Sequence, residues 1–327
     1  MRAWQVRALG EPAEVMQLAD VDAPTAEPGH VVVDVAATAL NFPDVLMARG
    51  QYQVQPPLPY VPGVEVCGRV VEVGAGVEGV RVGDRVVGMP SLPHGGLAAR
   101  APIPAPALFP APDALDDAEA AALTIGYQTA YVGLVRRAGL QPGEILLVHA
   151  AAGGVGSAAV QVGKALGATV VAVVGGPEKA SVAGDLGADH VIDRTAGDLV
   201  PALKALTGRR GVDVVFDPVG GAAYEASTRV VAFEGRIVVV GFAGGTIPSP
   251  GLNHALVKNY AILGLHWGLY NTHDPVAVRH AHDELSRLAA EGAVRPHVTE
   301  RLPLSGAADA VQRVADGTTT GRLVVLP

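Results

Sequence analysis

The chain has 327 residues, 49% hydrophobic and 17% charged, and its 24 Lys and Arg against 32 Asp and Glu give a formal charge of −8. That length and apolar content suit one large or two moderate domains and argue against disorder. One cysteine excludes a disulfide framework and a multi-cysteine zinc lobe, the acidic balance disfavours nucleic-acid binding, and no apolar run nears the roughly 18 residues that span a bilayer.

The opening Met1-Arg2-Ala3-Trp4-Gln5-Val6-Arg7 has no apolar run of the signal-peptide kind, so a cytoplasmic protein is expected. As far as Pro112 the pattern is of short β-rich runs broken by Gly and Pro. Val31–Val35, Gly68–Val73 and Asp84–Val87 read as strands, and their spacing suggests a small barrel or sandwich. The stretch Pro102 to Pro112 holds five prolines, which cannot donate ladder hydrogen bonds, and reads as a connector. Asp113, Asp116 and Asp117 then mark a helix N-terminus.

Beyond this point strands and helices alternate. Ile145 to His149 is apolar without alternation, as in a parallel strand buried on both faces. A helix from about Val155 to Leu166 ends at Gly167, and Val170–Val174 is the next strand. Val191-Ile192-Asp193, Val212–Phe216, Arg236–Val240 and Tyr260–Leu265 continue the series, implying a doubly wound α/β sheet. An amphipathic helix over Pro275–Ala290 and a terminal strand, Arg322–Leu326, complete the chain.

Between the first strand and its helix lies Ala150-Ala151-Ala152-Gly153-Gly154-Val155-Gly156, an A-x-G-x-x-G form of the dinucleotide fingerprint. Gly153 would admit the pyrophosphate, Gly156 would let the helix pack on the strand, and Ala152, Gly154 and Val155 supply the rest of the cradle. Glycines also serve plain strand–helix turns; the flanking strand and helix favour the nucleotide. The second strand runs into Gly175-Gly176 with no acid at its tip, where NAD-binding folds place one for the ribose hydroxyls. Lys179 and Arg194 are near enough in sequence to hold a 2′-phosphate, which points to NADPH, although each could be a solvated surface charge and Glu178 and Asp193 lie close by.

The motif order resembles that of the medium-chain dehydrogenase/reductase superfamily, in its zinc-free quinone oxidoreductase (zeta-crystallin-like) branch. The resemblance rests on Asn41-Phe42-Pro43-Asp44, Gly50-Gln51-Tyr52, Pro62-Gly63-Val64-Glu65, Val82-Gly83-Asp84-Arg85-Val86 and the fingerprint. Gly235–Phe242 and Gly321–Leu326 extend it to nearly the whole chain. It implies a GroES-like β-rich catalytic domain over 1–123, a Rossmann domain over 124–266, and a return over 267–327 that completes the first. It also implies a homodimer.

Zinc alcohol dehydrogenases of this superfamily carry a Gly-His-Glu motif and a ligand cysteine. Here the stretch is Gly63-Val64-Glu65, the Ala39–Phe42 loop has no cysteine, and Cys67 reads as a buried inert thiol. No metal site is expected. Without a Lewis acid the expected reaction is NADPH-dependent reduction of a quinone or another α,β-unsaturated carbonyl. The resemblance makes Tyr52 and Asn41 the candidates for stabilising or protonating the reduced anion. It puts Asn41, Thr129 and Arg322 among the cofactor contacts, and Gly241 and Phe242 join them from the tip of a parallel strand, where open α/β sheets bind ligands. Tyr52, Asn41, Thr129 and Phe242 also have ordinary structural readings, Asn41 as a turn-former before Phe42-Pro43. An enoyl-thioester reductase, and a non-enzymatic crystallin-like or RNA-associated NADPH-binding protein, are the alternatives.

Overall fold

The computed structural model describes residues 1–208 and 210–327. It divides into two compact units, one of Met1–Ile125 with Arg295–Pro327 and the other of Gly126–Val294.

The first unit begins with an antiparallel ribbon, β1 (Arg2–Val6) with β2 (Met16–Asp20). Its main sheet is formed by β3 (His30–Ala39), β4 (Val66–Val73), β5 (Arg85–Gly88), β6 (Arg100–Pro104), β7 (Leu108–Pro110) and two strands from the end of the chain. The segment Pro102–Pro112, expected to be a connector, therefore contributes strand. Pro102 and Pro104 are tolerated because they alternate in β6, opposite Val32 and His30, with their backbone turned away from β3. Accordingly the Pro102 carbonyl accepts from Ser91 N at 2.9 Å. The helix Asp117–Ala121 starts as the aspartates suggested: Asp116 caps it, accepting from Glu119 N at 3.0 Å.

The second unit is built on β8 (Ile145–His149), β9 (Thr169–Val174), β10 (His190–Asp193), β11 (Val212–Asp217), β12 (Val231–Val239) and β13 (Ala261–Gly264). All five pairings are parallel, in the order β10-β9-β8-β11-β12-β13. Counted from β8 this is 3-2-1-4-5-6, the Rossmann order, with the reversal between β8 and β11. Leu146, Leu147, Val214 and Val215 are completely buried, which explains the absence of alternation in these strands.

The return to the first unit begins at Arg295, whereas the sequence suggested about 267. The intervening helix Pro275–Ala290 turns Val278, Ala281, Leu285 and Leu288 inward, and its His280 ring meets Tyr131 edge-on at 6.3 Å within the second unit. From Arg295 the chain adds β14 (Val298–Pro303) and β15 (Arg322–Leu326), and β15 pairs antiparallel with β3.

Candidate active site

The fingerprint forms a turn at the carboxyl end of β8. Ala150 has φ 50, and its carbonyl accepts from Gly153 N at 2.9 Å. A Cβ on Gly156 would lie 2.1 Å from that carbonyl, so only glycine allows the helix Gly154–Ala165 to sit this close to the strand. No side chain caps this helix, leaving its first N–H groups to an anion or to water. Ala152 is buried beneath the turn, and Gly153, Gly154 and Val155 are half-buried along it. The turn fits a pyrophosphate.

At the tip of β9, Gly176 has φ 99, a conformation that favours glycine, and caps the helix Pro177–Asp185 carrying Lys179. The Arg194 guanidinium lies over Gly175, where an added Cβ would come 3.1 Å from Nη2. Asp193 is occupied locally. Its Oδ1 accepts from Gly176 N at 2.8 Å, Thr195 N at 2.9 Å and Thr195 Oγ1 at 2.7 Å, and these bonds hold its carboxyl below the usual carboxylate range. The nearby acid therefore shapes the loop, while the cation faces a glycine that leaves it room.

The tips of β11 and β12 are bound to each other: Ala243 N donates to Pro218 O at 3.0 Å and Gly244 N to Val219 O at 2.9 Å. Asp217, fully buried, accepts from Val219 N and Gly220 N at 2.9 and 3.0 Å. Phe242 follows Gly241 in this loop and is 37% exposed, so it is a surface aromatic resting on Gly220 and not core.

Two polar residues of the second unit carry no role in the sequence reading. His149, the last residue of β8, is buried with Nε2 2.8 Å from Ser227 Oγ. Because Ser227 donates to Ala223 O, the imidazole must donate here, and burial lowers its pKa and keeps it neutral. On the helix Thr124–Tyr131, Thr129 is 8% exposed, and beside it Gln128 is fully enclosed with both amide atoms lacking a hydrogen-bond partner among the described residues. No sequence pattern distinguishes Gln128 from any helical glutamine.

In the first unit, Asn41 caps the helix Phe42–Ala48 and is 5% exposed. Its Nδ2 donates to Ala39 O at 3.1 Å and Glu65 Oε1 at 2.8 Å, and its Oδ1 accepts from Arg322 Nη1 at 2.9 Å. Arg322 also pairs with Glu65, whose Oε2 accepts from Ile125 N at 2.7 Å. Both amide hydrogens of Asn41 are thus engaged within the unit, and the expected donor to substrate is a brace here. Arg322, expected at the cofactor, is only 4% exposed and points inward to these partners.

Asp44 lies one helical turn from Asn41. Its Oδ2 accepts from Asn41 N and its Oδ1 from Gly63 N, each at 2.9 Å, and burial pushes its carboxyl up to about 6. Tyr52 follows the helix and folds back, half-buried, on a cluster containing Leu40, Val45 and Tyr60. Burial and the Asp44 charge raise its pKa, so its hydroxyl is protonated at neutral pH.

Among the described residues no three His, Cys, Asp or Glu side chains group to hold a metal ion. The relevant fact is chemical: Glu65, the ligand-type side chain that remains of the Gly-His-Glu pattern, already binds a guanidinium and an amide. Cys67 is buried as expected, its thiol pushed up to about 12 by desolvation.

Residues 27–113 match the alcohol dehydrogenase GroES-like domain and residues 154–283 the domain described as zinc-binding dehydrogenase. Quinone oxidoreductase-like protein 2 of Bos taurus is 40% identical over 91% of this chain and 85% of its own. A mycocerosic acid synthase-like polyketide synthase of Mycobacterium tuberculosis is 33% identical over 98% of this chain, a match covering 15% of that much longer protein. Escherichia coli quinone oxidoreductase, solved complexed with NADPH, superposes with a TM-score of 0.92 at 32% identity and full coverage of both chains. With a fold, a fingerprint turn and relatives that agree, the chain belongs to the quinone oxidoreductase branch of the medium-chain dehydrogenase/reductase superfamily.

Proposed function

We propose that this protein reduces quinones or other α,β-unsaturated carbonyls with NADPH, without a metal. The observation that carries the reading is the closed Asn41–Glu65–Arg322 network: the carboxylate that a Lewis acid would need is paired with an arginine of the same unit. A conjugated acceptor suits such a site because its own π system takes up the hydride charge.

NADPH, when bound, supplies the hydride. The chain's own residues bind and orient. The N–H groups opening the helix Gly154–Ala165 hold the pyrophosphate, with Ala152, Gly153, Gly154, Val155 and Gly156 shaping the turn. Gly176, Lys179 and Arg194 receive the 2′-phosphate. Thr129, Gly241 and Phe242 contact the cofactor, and Tyr52, protonated at neutral pH, donates a hydrogen bond or proton to the anion left on the substrate. Asn41 and Arg322 act from behind by fixing the loop that precedes the helix Phe42–Ala48.

A second reading, an enoyl-thioester reductase, is favoured by the match to part of a polyketide synthase. Steady-state turnover with NADPH and a quinone, an enone or an enoyl-thioester, before and after chelation, tests both. The first reading expects turnover of a quinone or enone that survives chelation. Activity confined to the thioester supports the second reading, and activity lost with a bound metal overturns the metal-free mechanism.

A further inference from the structure

Far from the fingerprint, the second unit has a cavity of about 520 Å³ lined by Lys204, Arg210, Arg229, Lys258 and Phe233, together with the backbone where β11 and β12 begin. It opens at the amino ends of these strands, whereas the fingerprint lies at the carboxyl end of β8. Strands of this length put about 20 Å between the two ends. In a chain of net charge −8, four cations around one concavity need a cause.

Part of the cause is local. Lys204, Arg229 and Lys258 each lie in the last turn of a helix: Leu199–Leu206, Gly221–Val230 and Leu252–Lys258. A helix C-terminus carries roughly half a negative charge, so three of them offset only about half of the three cations. Arg210 is neutralised by Asp213 at 2.7 Å. Lys258 gives one hydrogen to Thr228 O at 2.8 Å, and neither Lys204 nor Arg229 forms an ion pair among the described residues. Burial and the charge of Lys204 both lower the Lys258 pKa, the mark of crowding that an anion would relieve. Among the described residues Lys204, Arg229 and Lys258 are thus only partly offset, which suits an anion of the charge of a phosphate monoester. Phe233, 70% exposed at the rim, adds an apolar face that a bare ion would not use.

We propose that this cavity binds a phosphate monoester carrying an aromatic or apolar group, with Lys204, Arg229 and Lys258 on the phosphate and Phe233 against the organic part. The site is separate from the dinucleotide turn and independent of which acceptor the enzyme reduces.

The test is calorimetric titration of NADPH-saturated protein, at low salt, with AMP, inorganic phosphate and adenosine as probes. AMP should bind saturably, phosphate more weakly and adenosine not measurably. Lys204→Ala and Arg229→Ala, both exposed positions, should each weaken AMP about tenfold or more. Phe233→Ala should bring AMP down to the level of phosphate, and NADPH affinity and thermal midpoint should stay unchanged in all three variants. No saturable AMP binding, or AMP binding indifferent to both cationic substitutions, would overturn the site. AMP binding no tighter than phosphate would overturn the assignment of a monoester.

Discussion

Arg322 of β15 pairs with Glu65, which immediately precedes β4, across 257 positions of sequence, with both side chains almost wholly buried. Two charges taken from water are tolerated because each finds further partners: Arg322 reaches Asn41 Oδ1 at 2.9 Å and Glu65 accepts from Ile125 N at 2.7 Å. Even so, burial outweighs the guanidinium and keeps the Glu65 pKa above its ordinary value. Removing one partner strands the other. Arg322→Met should therefore lower unfolding free energy by about 3–5 kcal/mol, and adding Glu65→Leu should recover much of the loss. Urea denaturation of the two variants measures both; a single substitution costing under about 1 kcal/mol would mean that the pair does not brace the unit.

The proposed 2′-phosphate site predicts how cofactor choice responds to change at Gly175, Lys179 and Arg194. Arg194→Ala and Lys179→Ala should each raise KM for NADPH roughly ten- to a hundredfold with little effect on NADH, since only the former presents a 2′-phosphate. Gly175→Asp should reverse the preference, because its side chain would occupy the space of the guanidinium and place a carboxylate there. Equal losses for both cofactors would remove these residues from the phosphate site.

Proton delivery is tested at Tyr52. Tyr52→Phe should lower single-turnover enone reduction by about 10²–10⁴-fold while NADPH affinity holds. A quinone should lose less, because its reduced anion is delocalised and takes a proton from solvent. Unchanged enone rates would assign Tyr52 to the architecture of its loop and the cluster it packs against.

Much of this was readable in the chain. Ile145–His149, Pro275–Ala290 and Arg322–Leu326 appear with the bounds that their patterns suggest, because burial on both faces or on one helical stripe imprints itself on neighbouring residues. What failed depended on distant partners. The prolines of β6 look like a breaker until it is known which edge of the strand they face. Arg322 looks like a cofactor contact until its carboxylate partner, some 260 positions earlier, is seen beside it. The raised carboxyl of Asp44 and the orphaned amide of Gln128 leave no trace in the sequence, since burial and the lack of a partner are properties of the folded chain.

Asp44 makes a pH prediction. Its carboxyl rises from an ordinary 3.8 to about 6 on folding. Between these values the native state binds more protons than the unfolded one, so this residue's contribution to stability is greatest below pH 4, falls as pH rises to 6 and is constant above. The full change is about 3 kcal/mol. Asp44→Asn should flatten that part of the stability curve. Chemical denaturation of both proteins at intervals from pH 4 to 7 measures the difference, and parallel curves would count against it.

A homodimer, implied by the family resemblance, would have β13, one of the two edge strands of its sheet, available for pairing. The helix before it exposes Leu252, Leu256 and Val257, each over 70% accessible. Pairing with a second copy would cover both the edge and this apolar face, as the family resemblance implies. Sedimentation should give a dimer, and Leu256→Lys with Val257→Glu a monomer. A wild-type monomer at micromolar concentration would refute the pairing.

The position of β15 also has a consequence for biosynthesis. Along one side of β3, β6 covers His30–Asp34 while Thr38 and Ala39 pair with β15, so that end of the strand stays open until some 280 further residues have left the ribosome. The second unit, continuous from Gly126 to Val294, has all its strands available earlier. Translation therefore makes the later segment the first that can finish folding, and leaves Glu65 without its arginine until 257 further residues have been added.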